Sequence, residues 1–138
     1  MKFKWILVGF LLCLVLPASA SGVKVIANSN VNVTQVSRSD LKDIFLQTKT
    51  SLAGGGHVEP VLLKSGAAHE LFVARHIGKT VATLINYYRS LVFSGKGTMP
   101  RMLGSDAEVV EYVAKTKGAI GYVSEETITA DVKILDVK

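Results

Sequence analysis

The chain has 138 residues, 16 of them basic and 11 acidic, for a net charge of +5. Nearly half of the residues are apolar, and a single cysteine is present. One thiol excludes a disulfide scaffold and a cysteine-based metal cluster.

The first 20 residues read as an export signal. Lys2 and Lys4 form a basic start. Trp5 to Leu16 form an apolar run too short to span a bilayer comfortably, and Pro17-Ala18-Ser19-Ala20 supplies a small-residue cleavage pattern. The expected cut follows Ala20, with a retained anchor as the alternative. Cys13 leaves with the signal, and Phe10-Leu11-Leu12 before it lack the small residues of a lipidation site. The 138 residues less the first 20 leave 118, enough for one domain, 21–138. The expected location is the periplasm, with no membrane embedding after cleavage.

Along that domain, Val23-Lys24-Val25-Ile26-Ala27 alternates and predicts a strand. Residues 28–34 read as a loop. Ser37 or Ser39 caps a helix whose apolar face is Leu41, Ile44 and Phe45. Residues 47–57, with three glycines, read as a loop. Residues 58–63 predict a strand, in which Pro60 argues for an edge position or a bulge near its start. A helix from about His69 ends near Gly78. The next carries Val81, Leu84, Ile85, Tyr88, Leu91 and Val92 at one helical period and stops at Ser94-Gly95. Residues 96–104 read as a loop. Ser105-Asp106-Ala107-Glu108 is a capping box for a helix with Val109, Val110 and Val113 on its apolar side. Residues 118–123 and 132–137 predict the last two strands. The order β-α-β-α-α-α-β-β predicts an α/β domain: a mixed, mostly parallel sheet with flanking helices.

Between the strand at 58–63 and the helix after it lies Lys64-Ser65-Gly66-Ala67-Ala68-His69. The first N–H groups of a helix lack partners within it, and the macrodipole favours negative charge there. Small residues let an anion come close, and Lys64 and His69 flank the turn with positive charge. These six residues are the candidate anion site; the plain alternative is a tight turn joining two core elements. From Lys64 to Arg101 stand six basic residues and one acid, Glu70, a block that can attract an anion. Export and the lack of interleaved aromatics argue against nucleic acid.

No catalytic set assembles. His57, His69 and His76 lack metal-ligand spacing, and no G-x-S-x-G elbow is present. Ser94-Gly95-Lys96-Gly97-Thr98 lacks the upstream glycine of a phosphate loop, and Glu125-Glu126 reads as a solvated turn. No catalytic residue, metal or cofactor is expected.

Three segments carry a family resemblance. Ser39-Asp40-Leu41-Lys42-Asp43-Ile44-Phe45-Leu46 resembles a segment of the phosphate-type substrate-binding proteins of ABC transporters. Lys117-Gly118-Ala119-Ile120-Gly121-Tyr122-Val123 is similar to their P-G-A-I-G-Y-V strand, with Lys117 in place of Pro. Gly66-Ala67-Ala68-His69-Glu70-Leu71-Phe72 lies where they carry S-G-T-x-E-x-F. The resemblance implies one lobe of a periplasmic-binding-protein-like fold that holds phosphate or a similar oxyanion. The chain has about half the usual length. Ala67, Ala68 and Gly66 also stand where Gly, a hydroxyl residue and Ser are usual, with Ser65 one position away. The leading expectation is therefore an exported single-lobe binder at Lys64, Ser65 and the N–H groups of Gly66 to His69, serving phosphate uptake or sensing. A second chain, or an envelope or transporter protein, would cover the open face. The alternative is a non-catalytic envelope interaction module with a degenerate anion site; an enzyme of unknown type is the third reading.

Overall fold

The computed structural model describes residues 22–54 and 56–138, so the expected signal and its cleavage point lie outside the described residues. The elements are β1 (Val23–Ala27), β2 (Gln35–Val36), α1 (Arg38–Phe45), β3 (Ser51–Leu52), β4 (Gly56–His57), β5 (Glu59–Leu63), α2 (Ala67–Phe72), α3 (Val81–Phe93), β6 (Arg101–Leu103), α4 (Asp106–Lys115), β7 (Ala119–Ser124) and β8 (Lys133–Val137). A π-helical turn, Val73–Ile77, continues α2 and ends at Gly78, whose φ of 72° is the left-handed stop expected there.

Six strands form one sheet in the order β2-β8-β1-β7-β5-β6. Three of its five pairings are parallel, β2 with β8, β7 with β5 and β5 with β6, while β1 runs antiparallel to both neighbours. The mixed, mostly parallel sheet matches the expectation. β6 and the β3–β4 hairpin fall in stretches that read as loops, and β2 falls between the expected loop 28–34 and the helix cap. Strands of two or three residues are too short to display a period of two.

Pro60 corrects one expectation, because β5 is an interior strand. The N–H of Glu59 donates to the Gly118 carbonyl just before β7 (2.8 Å), so the next nitrogen, that of Pro60, faces the other side. There β6 pairs with β5 only from Val61, opposite Arg101. The missing donor stands where no partner strand has begun.

α1 is capped by Ser37, whose hydroxyl accepts from the Asp40 N–H (3.0 Å). Its buried Phe45 meets Phe72 edge-on at 4.9 Å, and Phe72 stacks on Tyr122 of β7 at 3.8 Å. α4 lies on β7 through Val109 and Val113. Gly121 permits that approach, since a Cβ there would stand 3.1 Å from Val109 Cγ1. Buried Asn28 donates to the Val113 and Ala114 carbonyls at the end of α4 (2.8 and 3.1 Å).

The stripe on α3 is buried less than its period predicts. Leu84 and Tyr88 are buried, but Val92 is 49% exposed. The helix rests on the π-helical turn at the periphery, so only its inner line meets protein. Tyr88 reaches inward and donates to the Phe45 carbonyl (2.7 Å).

Candidate functional site

β5, β6 and β7 run parallel, so their carboxyl ends share one edge, where ligands of open α/β sheets commonly bind. Two helices begin at that edge, α2 after β5 and α4 after β6. Their N-termini are finished differently.

The α4 end is filled by its own side chains. Ser105 Oγ accepts from the Glu108 N–H (3.2 Å), and the Glu108 carboxylate accepts from the Gly104 N–H (2.8 Å). The capping box forms, with its return bond one residue earlier than in the standard motif. Asp106, the first helical residue, accepts from the Ser124 hydroxyl (2.5 Å), the Ser124 N–H (3.3 Å) and the Thr127 hydroxyl (2.7 Å). A carboxylate already occupies the positive end of that helix.

The α2 end is open. Gly66 is its N-cap and has no side chain to offer. Its φ of 105° with ψ of 170° is a conformation that L side chains avoid, which explains a glycine there. The first bond of the helix runs from the Glu70 N–H to the Gly66 carbonyl (3.0 Å). The N–H groups of Ala67, Ala68 and His69 precede that bond and have no helical partner. The turn is tied down by the Lys64 N–H, which donates to the Leu103 carbonyl of β6 (2.9 Å). Lys64, Ser65, Gly66 and Ala67 are exposed, and Ala68 is half-buried. Among the described residues Lys64 makes no salt bridge. Beside Ala67 and Ala68 lies a hollow of about 150 Å³, walled by Gly22, Leu71, Ser124 and Glu126.

His69 departs from the picture of a flanking charge. Its ring is buried, with Nδ1 at 2.5 Å from the Tyr122 hydroxyl. Burial holds its pKa below the ordinary histidine value, against a smaller opposing pull from Glu70. The imidazole is therefore neutral at neutral pH, and only the backbone N–H of His69 faces the turn's open end. The basic block does not gather into one patch either. Lys79 lies over the Tyr87 ring (5.5 Å), and Arg101 lies over the Tyr112 ring (5.2 Å) at the start of β6, away from the carboxyl end.

Sequence reasoning missed Ser124, Thr127 and Glu126 as neighbours of this edge. They sit at the end of β7 and on the turn after it, and no local pattern links them to residues 64–69. Larger hollows lie elsewhere. One of about 170 Å³ is at the opposite end of β5, between Gln47, His57, Met99 and Arg101. Another, of about 500 Å³, runs along α4. Neither touches the turn. Among the described residues no group of three or more His, Cys, Asp or Glu is placed to hold a metal, and no helix is long and apolar enough to cross a membrane.

Solved structures supply a likeness. A protein of Clostridium perfringens, described as a phosphate ABC transporter substrate-binding protein with bound phosphate, superposes with a TM-score of 0.66 at 17% identity. The match covers 85% of this chain and 45% of that one. The fold is that of one lobe of a substrate-binding protein. PstS from Borrelia burgdorferi gives a TM-score of 0.63 at 15% identity, over 86% of this chain and 47% of PstS. An ABC-type phosphate transport receptor from Vibrio cholerae gives 0.58 at 15% identity, over 85% and 46%. This chain thus spans about half the length of each. No protein-family model matches it, and no curated protein does.

Proposed function

We propose that this chain is an exported solute-binding-type protein that holds phosphate or a similar oxyanion at the N-terminus of α2, in phosphate uptake or sensing. It does so without catalysis and without a cofactor. The observation that carries this reading is the contrast between two neighbouring helix ends: α4 is filled by Asp106, while α2 keeps three N–H groups open behind Gly66. The site comprises Lys64, Ser65 and the N–H groups of Gly66, Ala67, Ala68 and His69. The likeness to solved phosphate-binding proteins supports the same ligand class.

Affinity is modest, for two reasons. Ala67 and Ala68 offer no hydroxyl donors, and the acidic residue Glu126 lines the adjoining hollow. The exposed turn leaves the charges screened by salt.

An NMR titration with phosphate tests the site. The amides of Ala67, Ala68 and His69 shift most, and Lys64→Glu abolishes the effect. Ala68→Thr tightens binding, since a hydrogen bond to an anion contributes on the order of 1.5–3 kcal/mol. Shifts spread evenly over the basic residues, with none centred on 66–69, would show that the turn is only a turn.

The same reading places the protein in the periplasm, cut after Ala20, with a second chain or an envelope or transporter protein over the open edge. Mass spectrometry of the exported protein is expected to find Ser21 first; retention of residues 1–20 overturns that point. Sedimentation giving a strict monomer with no partner at high concentration counts against the covering chain.

A further inference from the structure

The turn is gripped from beneath by one hydroxyl. Tyr122 Oη accepts from the N–H of Leu63 (3.2 Å) and stands 2.5 Å from His69 Nδ1. Leu63 is the last residue of β5, and His69 is the third of α2. A single atom therefore spans the whole turn 64–68, bonding to the element on each side of it.

The proton arrangement follows from the donors. The Leu63 N–H donates to the phenolic oxygen, and among the described residues the buried hydroxyl proton finds its acceptor only in His69 Nδ1, so that proton goes to Nδ1 and the imidazole proton stays on Nε2. Burial keeps both partners in the required forms: it lowers the pKa of His69 and raises that of Tyr122. The rings cannot drift, because Tyr122 stacks on Phe72 at 3.8 Å and 6°, and the His69 ring lies within 10° of parallel to it.

We propose that Tyr122 is the positioning residue of the anion turn, fixing through Leu63 and His69 the direction in which the N–H groups of Ala67, Ala68 and His69 point. This rests on the reading of that turn as the anion site. Tyr122 touches no ligand; it sets where the donors sit. An exposed turn with one other tie to the sheet, the Lys64 N–H, has little else to hold it.

Tyr122→Phe removes the hydroxyl and keeps the stacked ring. Ile120→Ala, on the same strand, serves as a control that weakens the core without touching the turn. In hydrogen exchange of the exported protein without phosphate, Tyr122→Phe is expected to speed exchange at residues 64–69 selectively, and Ile120→Ala is not. In phosphate titrations Tyr122→Phe is expected to weaken binding by roughly three- to tenfold, the equivalent of one lost hydrogen bond, while Ile120→Ala binds as the wild type does. His69→Asn, which offers an acceptor near the position of Nδ1, is expected to retain more affinity than His69→Leu. Unchanged exchange at 64–69 in Tyr122→Phe overturns the proposal, as does wild-type phosphate affinity in that variant. A wild type that binds no phosphate overturns the anion site instead, and the exchange measurement then decides the positioning role alone.

Discussion

Gln47 holds Thr98 by both ends of its amide. Its Nε2 donates to the Thr98 carbonyl (2.6 Å), and its Oε1 accepts from the Thr98 N–H (3.1 Å). It does so from a left-handed backbone, φ 60°, just past the end of α1, where glycine is the usual residue. A side chain is retained at a strained position because it fastens the loop after α3 to the loop after α1.

Gln47→Ala keeps the strain and loses both bonds, at a cost of about 1–2 kcal/mol. Gln47→Gly loses the bonds but relieves about 1 kcal/mol of left-handed strain. Urea denaturation is expected to rank wild type first, Gly second and Ala last. An Ala variant as stable as the wild type would show that the amide contributes nothing.

Ile120 is fully buried on β7, between β1 and β5. Its truncation to Ala leaves a cavity and is expected to cost about 2–5 kcal/mol. A melting temperature unchanged by the substitution would refute the packing described for this strand.

The two glycines flanking Ala119-Ile120 differ in what they tolerate. At Gly118, φ is 78° and a Cβ would lie 2.6 Å from the His57 carbonyl oxygen, so backbone must move. At Gly121 the tight neighbour is Val109 Cγ1 at 3.1 Å, a side-chain methyl with some room to give. Gly118→Ala is expected to destabilise by about 2–4 kcal/mol and Gly121→Ala by about half of that. Thermal melts that reverse this order would contradict the geometry.

Stability should fall on mild acidification. Burial lowers the pKa of both His69 and His76 from the ordinary 6.5, and the Arg38 and Arg75 charges add to the effect at His76. As pH falls below about 6.5, the unfolded chain takes up protons that the folded chain refuses. The stabilisation is complete above that value and is lost progressively below it. Melting temperatures measured from about pH 8 to about pH 5 are expected to decline through this window, and His69→Asn to flatten the slope. A level profile in the wild type would mean that neither ring resists protonation.

By itself the sequence determined the elements that a run of neighbouring residues can specify. The alternation at 23–27, the serine-capped helix with its Leu41-Ile44-Phe45 face, the stop at Gly78 and the strand–small turn–helix at 58–72 are all local, and all are present, the structure choosing Ser37 over Ser39 as the cap. The open end of α2 was legible for the same reason: Gly66 has no side chain whatever surrounds it. Tertiary structure alone decided the rest. Asp106 fills the α4 end through Ser124 and Thr127, 18 and 21 residues away, and Tyr122 grips the turn through Leu63 and His69, 59 and 53 residues away. The inward turn of His69 and the interior place of Pro60 were settled likewise. Such partners are chosen by which strands lie side by side and in what register. That choice is made by burying the whole sheet at once, and no short stretch of chain encodes it.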